Sequence, residues 1–128
     1  MNDKVGHPWF APAGFTRGKL GAAIQQNVNL NQDNLDLLYG TDINPLRSHP
    51  QNAEEGIVIW GQKTLLQATN ALDRVNVRRL LIDLRRKVKA VALTFLFEPN
   101  REETLSKFAS QVTPILQNVQ AQRGVSRF

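Results

Sequence analysis

The chain contains no cysteine, which removes disulfides and thiolate metal sites from consideration. Histidine is almost as scarce: His7 and His49 each stand beside a proline, with no serine, cysteine or carboxylate pattern to make either a general base. No apolar run approaches the roughly 20 residues of a membrane-spanning helix. Acidic residues are few, 11 against 16 Lys+Arg, so the net charge is +5. That excess favours an acidic partner, whether protein surface, nucleic acid or anionic membrane, and is silent about fold. The adjacent pairs Glu54-Glu55 and Glu102-Glu103 do not converge on one point, and no three or four ligands cluster with metal spacing. The residues alone therefore support a binding or structural module with no catalytic, cofactor or metal site.

What is present is organised around a long basic helix expected from Ala71 to Phe97. Val77, Leu81, Leu84, Val88, Val91 and Phe95 repeat at spacings of four and three, which lines them along one side of a helix. Asn70 is positioned as N-cap, Asp73 places negative charge at the positive end of the helix dipole, and Pro99 closes the segment. Arg74, Arg78, Arg79, Arg85, Arg86, Lys87 and Lys89, relieved by Asp83, make the remaining faces densely positive.

The flanking segments read more weakly. Residues 1–30 are expected to be extended or looped, with Trp9, Phe10 and Phe15 plugged onto a core or a neighbouring chain. Asn31 to Tyr39 reads as a short helix with Leu35, Leu37 and Leu38 on its apolar side and Gly40 as its left-handed stop. Ile43 to Pro50 is a turn-rich connection. Ile57-Val58-Ile59-Trp60 reads as a buried strand. Two near-misses to a phosphate loop fail on spacing: Ala13 replaces the first glycine and Leu20 the Ser or Thr of one, and Gln62 intrudes between Gly61 and Lys63 of the other. Asn100 and Glu103 form a capping-box pattern for a last helix whose Leu105, Phe108, Val112, Ile115 and Val119 keep the three-four rhythm. The two long helices are expected to pack antiparallel across the Glu98-Pro99 turn. Pro114 either kinks the last helix or begins a new one capped by Thr113.

Several stretches resemble the contractile tail sheath proteins of bacteriophages. They are Trp9-Phe10-Ala11-Pro12-Ala13-Gly14-Phe15 with Arg17-Gly18, Leu38-Tyr39, Ile43-Asn44-Pro45, Gly56 to Thr64, Asp73 to Leu80, Phe97-Glu98-Pro99-Asn100 and Gln122-Arg123-Gly124. Each is weak alone, but seven in one order with similar gaps are specific, and together they cover about Gly6 to Phe128. The resemblance implies an α+β (α/β-like) fold of long helices on a small mixed sheet, and a structural subunit with no enzymatic activity or cofactor. It implies six-membered rings around a tail tube, contraction that drives the tube through the host envelope, and neighbours joined by strand exchange. The implied partners are other sheath subunits, the tail tube protein, and baseplate and tail terminator proteins, with no nucleic acid and no membrane. The implied location is the virion tail, assembled in the host cytoplasm. By position, Glu102 to Arg123 matches the tube-facing helix, with Lys107, Gln111 and Arg123 as contacts, while Arg78, Arg85, Arg86, Lys89, Trp9 and Phe10 would serve neighbouring subunits. Residues 1–128 would be one inner sheath domain, a fragment without the usual N-terminal and outer domains and without the closing C-terminal strands. The alternative is a basic helical nucleic-acid-binding domain, which the arginine-rich face favours but which lacks interleaved aromatics.

Overall fold

The computed structural model describes residues 6–23, 25–48 and 56–128. It contains three α-helices and a three-stranded sheet, in the order β1 (Lys19–Leu20), α1 (Gln32–Gly40), β2 (Leu46–Ser48), β3 (Ile57–Ile59), α2 (Val75–Leu93) and α3 (Glu102–Ala121). The α+β class stands. The chain divides into two compact units, Met1–Arg79 and Leu80–Phe128, with α2 running through the division.

In the first unit the Ile-Val-Ile run forms the central strand β3, flanked by β1 and β2. Both pairings are antiparallel, so the sheet is not mixed. Lys19 stands opposite Val58, and Arg47 opposite the same residue on the other side. A strand paired on both edges takes Ile57 and Val58 out of water, and each such side chain contributes about 1.5–3 kcal/mol. The two outer strands lie in segments whose sequence promised loops and turns. They are two and three residues long, too short for a period-two pattern, and exist because β3 offers them backbone partners. The outer edge of β2 is itself occupied: Gln26 Nε2 donates to Leu46 O at 2.6 Å, and Gln26 Oε1 accepts from Ser48 N at 3.1 Å. One side-chain amide thus stands in for a further strand residue.

Helix α1 is capped as expected by Asn31, whose side chain accepts from Asn34 N at 2.8 Å. Leu35 is buried, but Leu37 is 68% exposed. Gly40 is not the stop. The left-handed residue is Asp42, at φ 61°, and the end is closed by Ile43 N donating to Leu38 O at 3.0 Å and Asp42 N to Tyr39 O at 3.3 Å, the double bond pattern of a Schellman turn. Asp42 holds this conformation because its carboxylate is anchored, by Lys63 Nζ at 3.4 Å and Gln67 Nε2 at 3.0 Å.

The long helix expected from Ala71 begins later. Asn70 does cap, accepting from Leu72 N at 2.8 Å, but it caps one turn of 3-10 helix, Ala71–Asp73. Arg74 is extended, because it forms a bridge with Lys63 and the flanking bonds Thr64 N to Asp73 O and Val75 N to Gln62 O hold it there. α2 starts only after that tie and ends at Leu93. Five of the six residues of the expected stripe, Val77, Leu84, Val88, Val91 and Phe95, are half-buried, whereas Leu81 is exposed and its place is taken by the buried Leu80, with Asp83 buried beside it. Asp83 tolerates this site through Lys87 Nζ at 2.6 Å and Arg86 at 3.1 Å.

In the second unit, α2 and α3 make no extended helix-to-helix contact, contrary to the expected antiparallel pair. They meet at the corner, where the Phe95 and Phe108 rings stand edge to face at 5.8 Å. The Asn100–Glu103 capping box does not form. Arg101 is the N-cap residue and provides no side-chain bond, leaving Glu102 and Glu103 to complement the helix dipole. Pro114 lies inside one continuous helix. Thr113 caps nothing; its hydroxyl donates back to Ala109 O at 2.8 Å, an arrangement associated with helix bending. At the C-terminus Gly124 N donates to Val119 O at 2.8 Å and Arg123 N to Gln120 O at 2.9 Å, with Arg123 itself left-handed at φ 60°.

Candidate functional site

Among the described residues no group of three or more His, Asp or Glu could hold a metal ion, and no helix is long and apolar enough to cross a membrane. His7 lies flat against Trp9, ring centroids 4.7 Å apart. His49 and the Glu54-Glu55 pair fall outside the described residues. What the first unit does build is a cleft of about 400 Å³. Its walls are small residues, Ala11, Ala13, Gly14 and Gly61, and the larger Tyr39 and Trp60, with Asp36, Gln62 and Arg74 as the polar lining.

Cations are stacked around it. Arg47 lies over Trp60 at 4.7 Å and Arg17 over Phe10 at 5.2 Å, while Arg17 Nε also donates to Ala11 O at 2.9 Å. Lys63 Nζ sits 4.3 Å from the Tyr39 ring centroid and donates to Tyr39 O at 2.7 Å. Arg74 donates to the Tyr39 hydroxyl and pairs with Asp73 at 3.0 Å. The Tyr39 hydroxyl, and after it the charge of Asp73, raise the Arg74 pKa above its ordinary value, so the guanidinium is a fixed cation. Asn44 fastens the loop beneath: its Nδ2 donates to Lys63 O and its Oδ1 accepts from Lys63 N, both at 2.8 Å. Gln62 Oε1 is buried and accepts no hydrogen bond. Two rings, the Asp36 carboxylate and surrounding cations form a polar, partly aromatic cleft; the described lining contains no nucleophile and base in reach of one another.

The residues singled out from sequence fall into separate places. Lys107 and Gln111 line one hollow of about 310 Å³ beside Phe95 and Glu98, with Lys107 paired to Glu103 at 2.7 Å. Arg123 is not with them; it lies in the turn after α3, about 18 Å beyond Gln111 along the helix axis. Arg78, Arg85 and Lys89 share one line of α2 with Ile82, which is 66% exposed, and none of the three cations has an ion-pair partner among the described residues. Arg86 is turned to Asp83. Trp9 is buried and Phe10 half-buried, both spent on ring contacts within their own unit. Sequence reasoning missed the cleft, because its walls come from four separated stretches. The only trace was the clustering of small residues around Trp9 to Gly14 and at Gly61.

The chain is thus a cysteine-free α+β protein built of three α-helices and a small antiparallel sheet among its described residues. No family model matches the chain. It is 40% identical over 126 residues to the tail sheath protein of Vibrio phage KVP40, 32% over 126 residues to that of Enterobacteria phage T4, and 33% over 109 residues to that of Salmonella phage ViI. These alignments cover 98%, 98% and 85% of this chain but 18%, 19% and 17% of the relatives. The chain is thus related to the tail sheath proteins along nearly all of its length, and spans less than a fifth of theirs. Its fold is also that of part of a chain in the cryo-EM structure of the anti-feeding prophage baseplate, 6-fold symmetrised, with TM-score 0.81 and 24% identity over 94% of this chain and 32% of that one.

Proposed function

We propose that the chain is part of the subunit of a contractile tail sheath, a non-enzymatic building block that assembles with copies of itself into six-membered rings around a tail tube and contracts by changing their packing. The observation that carries this reading is the sequence relation over 98% of the chain to a phage tail sheath protein. Two exposed helical faces support it. The unpaired Arg78, Arg85 and Lys89 line of α2 offers a cationic strip to acidic groups of neighbouring subunits. Lys107 and Gln111 on α3 serve as contacts to the tail tube, with Arg123 beyond the helix end. Strand exchange between neighbours would use the β1 edge of the sheet, since Gln26 occupies the β2 edge. Baseplate and tail terminator proteins complete the partners, and assembly takes place in the host cytoplasm.

The test is electron microscopy of particles assembled from the full-length protein with its tail tube protein. Six-fold rings or striated tubes sheathing the tube are expected; a monodisperse monomer under every condition that yields tubes from the tube protein would overturn the reading.

A further inference from the structure

Phe97 is 95% exposed, an aromatic ring held in water at the tip of the corner between α2 and α3. Leu96 beside it is also open. The same corner carries Glu98 and Glu102, and neither has an ion-pair partner among the described residues. Its backbone N–H groups at Phe97 and Asn100 find no acceptor among the described residues. The corner is therefore an apolar knob with carboxylates at its sides and free donors at its base.

The cleft of the first unit is complementary in size and in the cations at its margin, with Asp36 the one carboxylate of its lining. It has room, about 400 Å³, in the size range of pockets that enclose small ligands. Its lining sets Trp60 and Tyr39 among alanines and glycines, with Arg47 and Phe15 against the Trp60 ring and Lys63 over that of Tyr39. Arg17 and Arg47 stand over rings at its margin without a carboxylate partner among the described residues. We infer that the Phe97–Asn100 corner of one copy seats in the Trp60 cleft of a second copy, with Glu98 and Glu102 facing Arg17 and Arg47. Knob and cleft are different surfaces of one chain, so the contact is heterologous and propagates into a ring or a helix instead of closing a two-fold dimer. This inference rests on the reading of the chain as a self-assembling sheath subunit and names the surfaces that join its copies.

Because the chain lacks cysteine, introduced thiols report without background. Full-length chains carrying Phe97→Cys and Ala13→Cys, mixed during assembly and mildly oxidised, are expected to give a covalent mixed dimer, and the doubly substituted chain a ladder of covalent oligomers. Phe97→Ala should leave the thermal melt unchanged and raise the concentration needed for assembly about tenfold or more. Glu98→Lys, outside α3, should do likewise, with a loss that shrinks as salt rises. Absence of the mixed dimer, closure of the double variant's disulfide within one monomer, or capture of the Ala13→Cys thiol by another tail protein instead would each overturn the inference. If the unsubstituted protein forms rings or tubes while the mixed dimer fails, the knob-and-cleft contact falls and the sheath reading stands; if it forms none, both fall.

Discussion

Replacing Gly18 with alanine should unfold the first unit far more readily than any composition argument would suggest. A Cβ at Gly18 would lie 2.8 Å from Gly14 O, 2.9 Å from Gly14 N and 3.0 Å from the Ala13 carbonyl carbon. All three are backbone atoms, so no side-chain rotation relieves the overlap. The backbone that must give way is hydrogen-bonded on both sides: Gly18 N donates to Gly14 O at 2.8 Å, Ile59 N donates to Gly18 O at 2.9 Å, and Gly14 N donates to Ile59 O at 2.9 Å. Overpacking costs about 1–3 kcal/mol and each weakened bond about 1 kcal/mol, against about half a kcal/mol returned by stiffening the unfolded chain. A net loss of about 3 kcal/mol lowers the melting temperature by about 10–20 °C in a domain of this size. The assay is tryptophan fluorescence during a thermal melt, since both tryptophans, Trp9 and Trp60, lie in the same unit as Gly18. Gly40→Ala is the internal control: it sits in α1 with nothing within 4 Å, so it should gain up to about 1 kcal/mol. A Gly18→Ala melt within about 2 °C of the unsubstituted protein would refute the close-approach argument.

Three further substitutions probe the second unit and α2. Arg123→Gly removes a left-handed non-glycine residue and should add about 1 kcal/mol of stability by chemical denaturation; if Arg123 touches the tube, the same variant should co-sediment less well with tube protein despite being more stable. Pro114→Ala restores a backbone donor at an exposed position inside α3 and should add about 2 kcal/mol with a rise in helical circular dichroism; no gain would mean that the proline costs the helix nothing where it stands. Asp83→Asn strips the carboxylate from Lys87 and Arg86, whose side chains are partly open to solvent, and should cost about 1–2 kcal/mol in urea denaturation; an unchanged midpoint would mean the pairs contribute nothing.

The parts of the fold legible in sequence were those whose cause is local. The Ile57–Ile59 run needs only its own residues to demand burial, and Asn31 needs only the chain three residues ahead to act as a cap. The misplaced boundaries have non-local causes. Gly40 offered a left-handed stop, but α1 continues to it because Lys63 and Gln67, more than twenty residues on, anchor the carboxylate of Asp42. The start of α2 moved from Ala71 to Val75 because Lys63 claims Arg74 for a backbone bridge. Lys63 belongs to one of the failed phosphate-loop patterns, and its position explains the pattern's residues without a phosphate: Gly61 leaves space for Asn44, whose Oδ1 would lie 2.6 Å from a Cβ there, and Asn44 in turn grips the Lys63 backbone on both sides.

The contact surfaces were harder to read, and the reason is physical. A periodicity argument identifies what a helix buries, and for α2 it chose Leu81 over Leu80 because leucine next to leucine carries no phase information. It also treats every apolar side chain as core, so Phe97 counted toward the end of a helix when its position is a corner and its ring is bare. An exposed aromatic is costly to keep in water and adds nothing to the stability of the isolated chain. A cleft lined by glycine and alanine makes the matching statement from the other side, since small residues relinquish contact area that larger ones would have filled. Neither feature improves the monomer. Both are what the inferred contact requires, in which the corner of one copy fills the cleft of another.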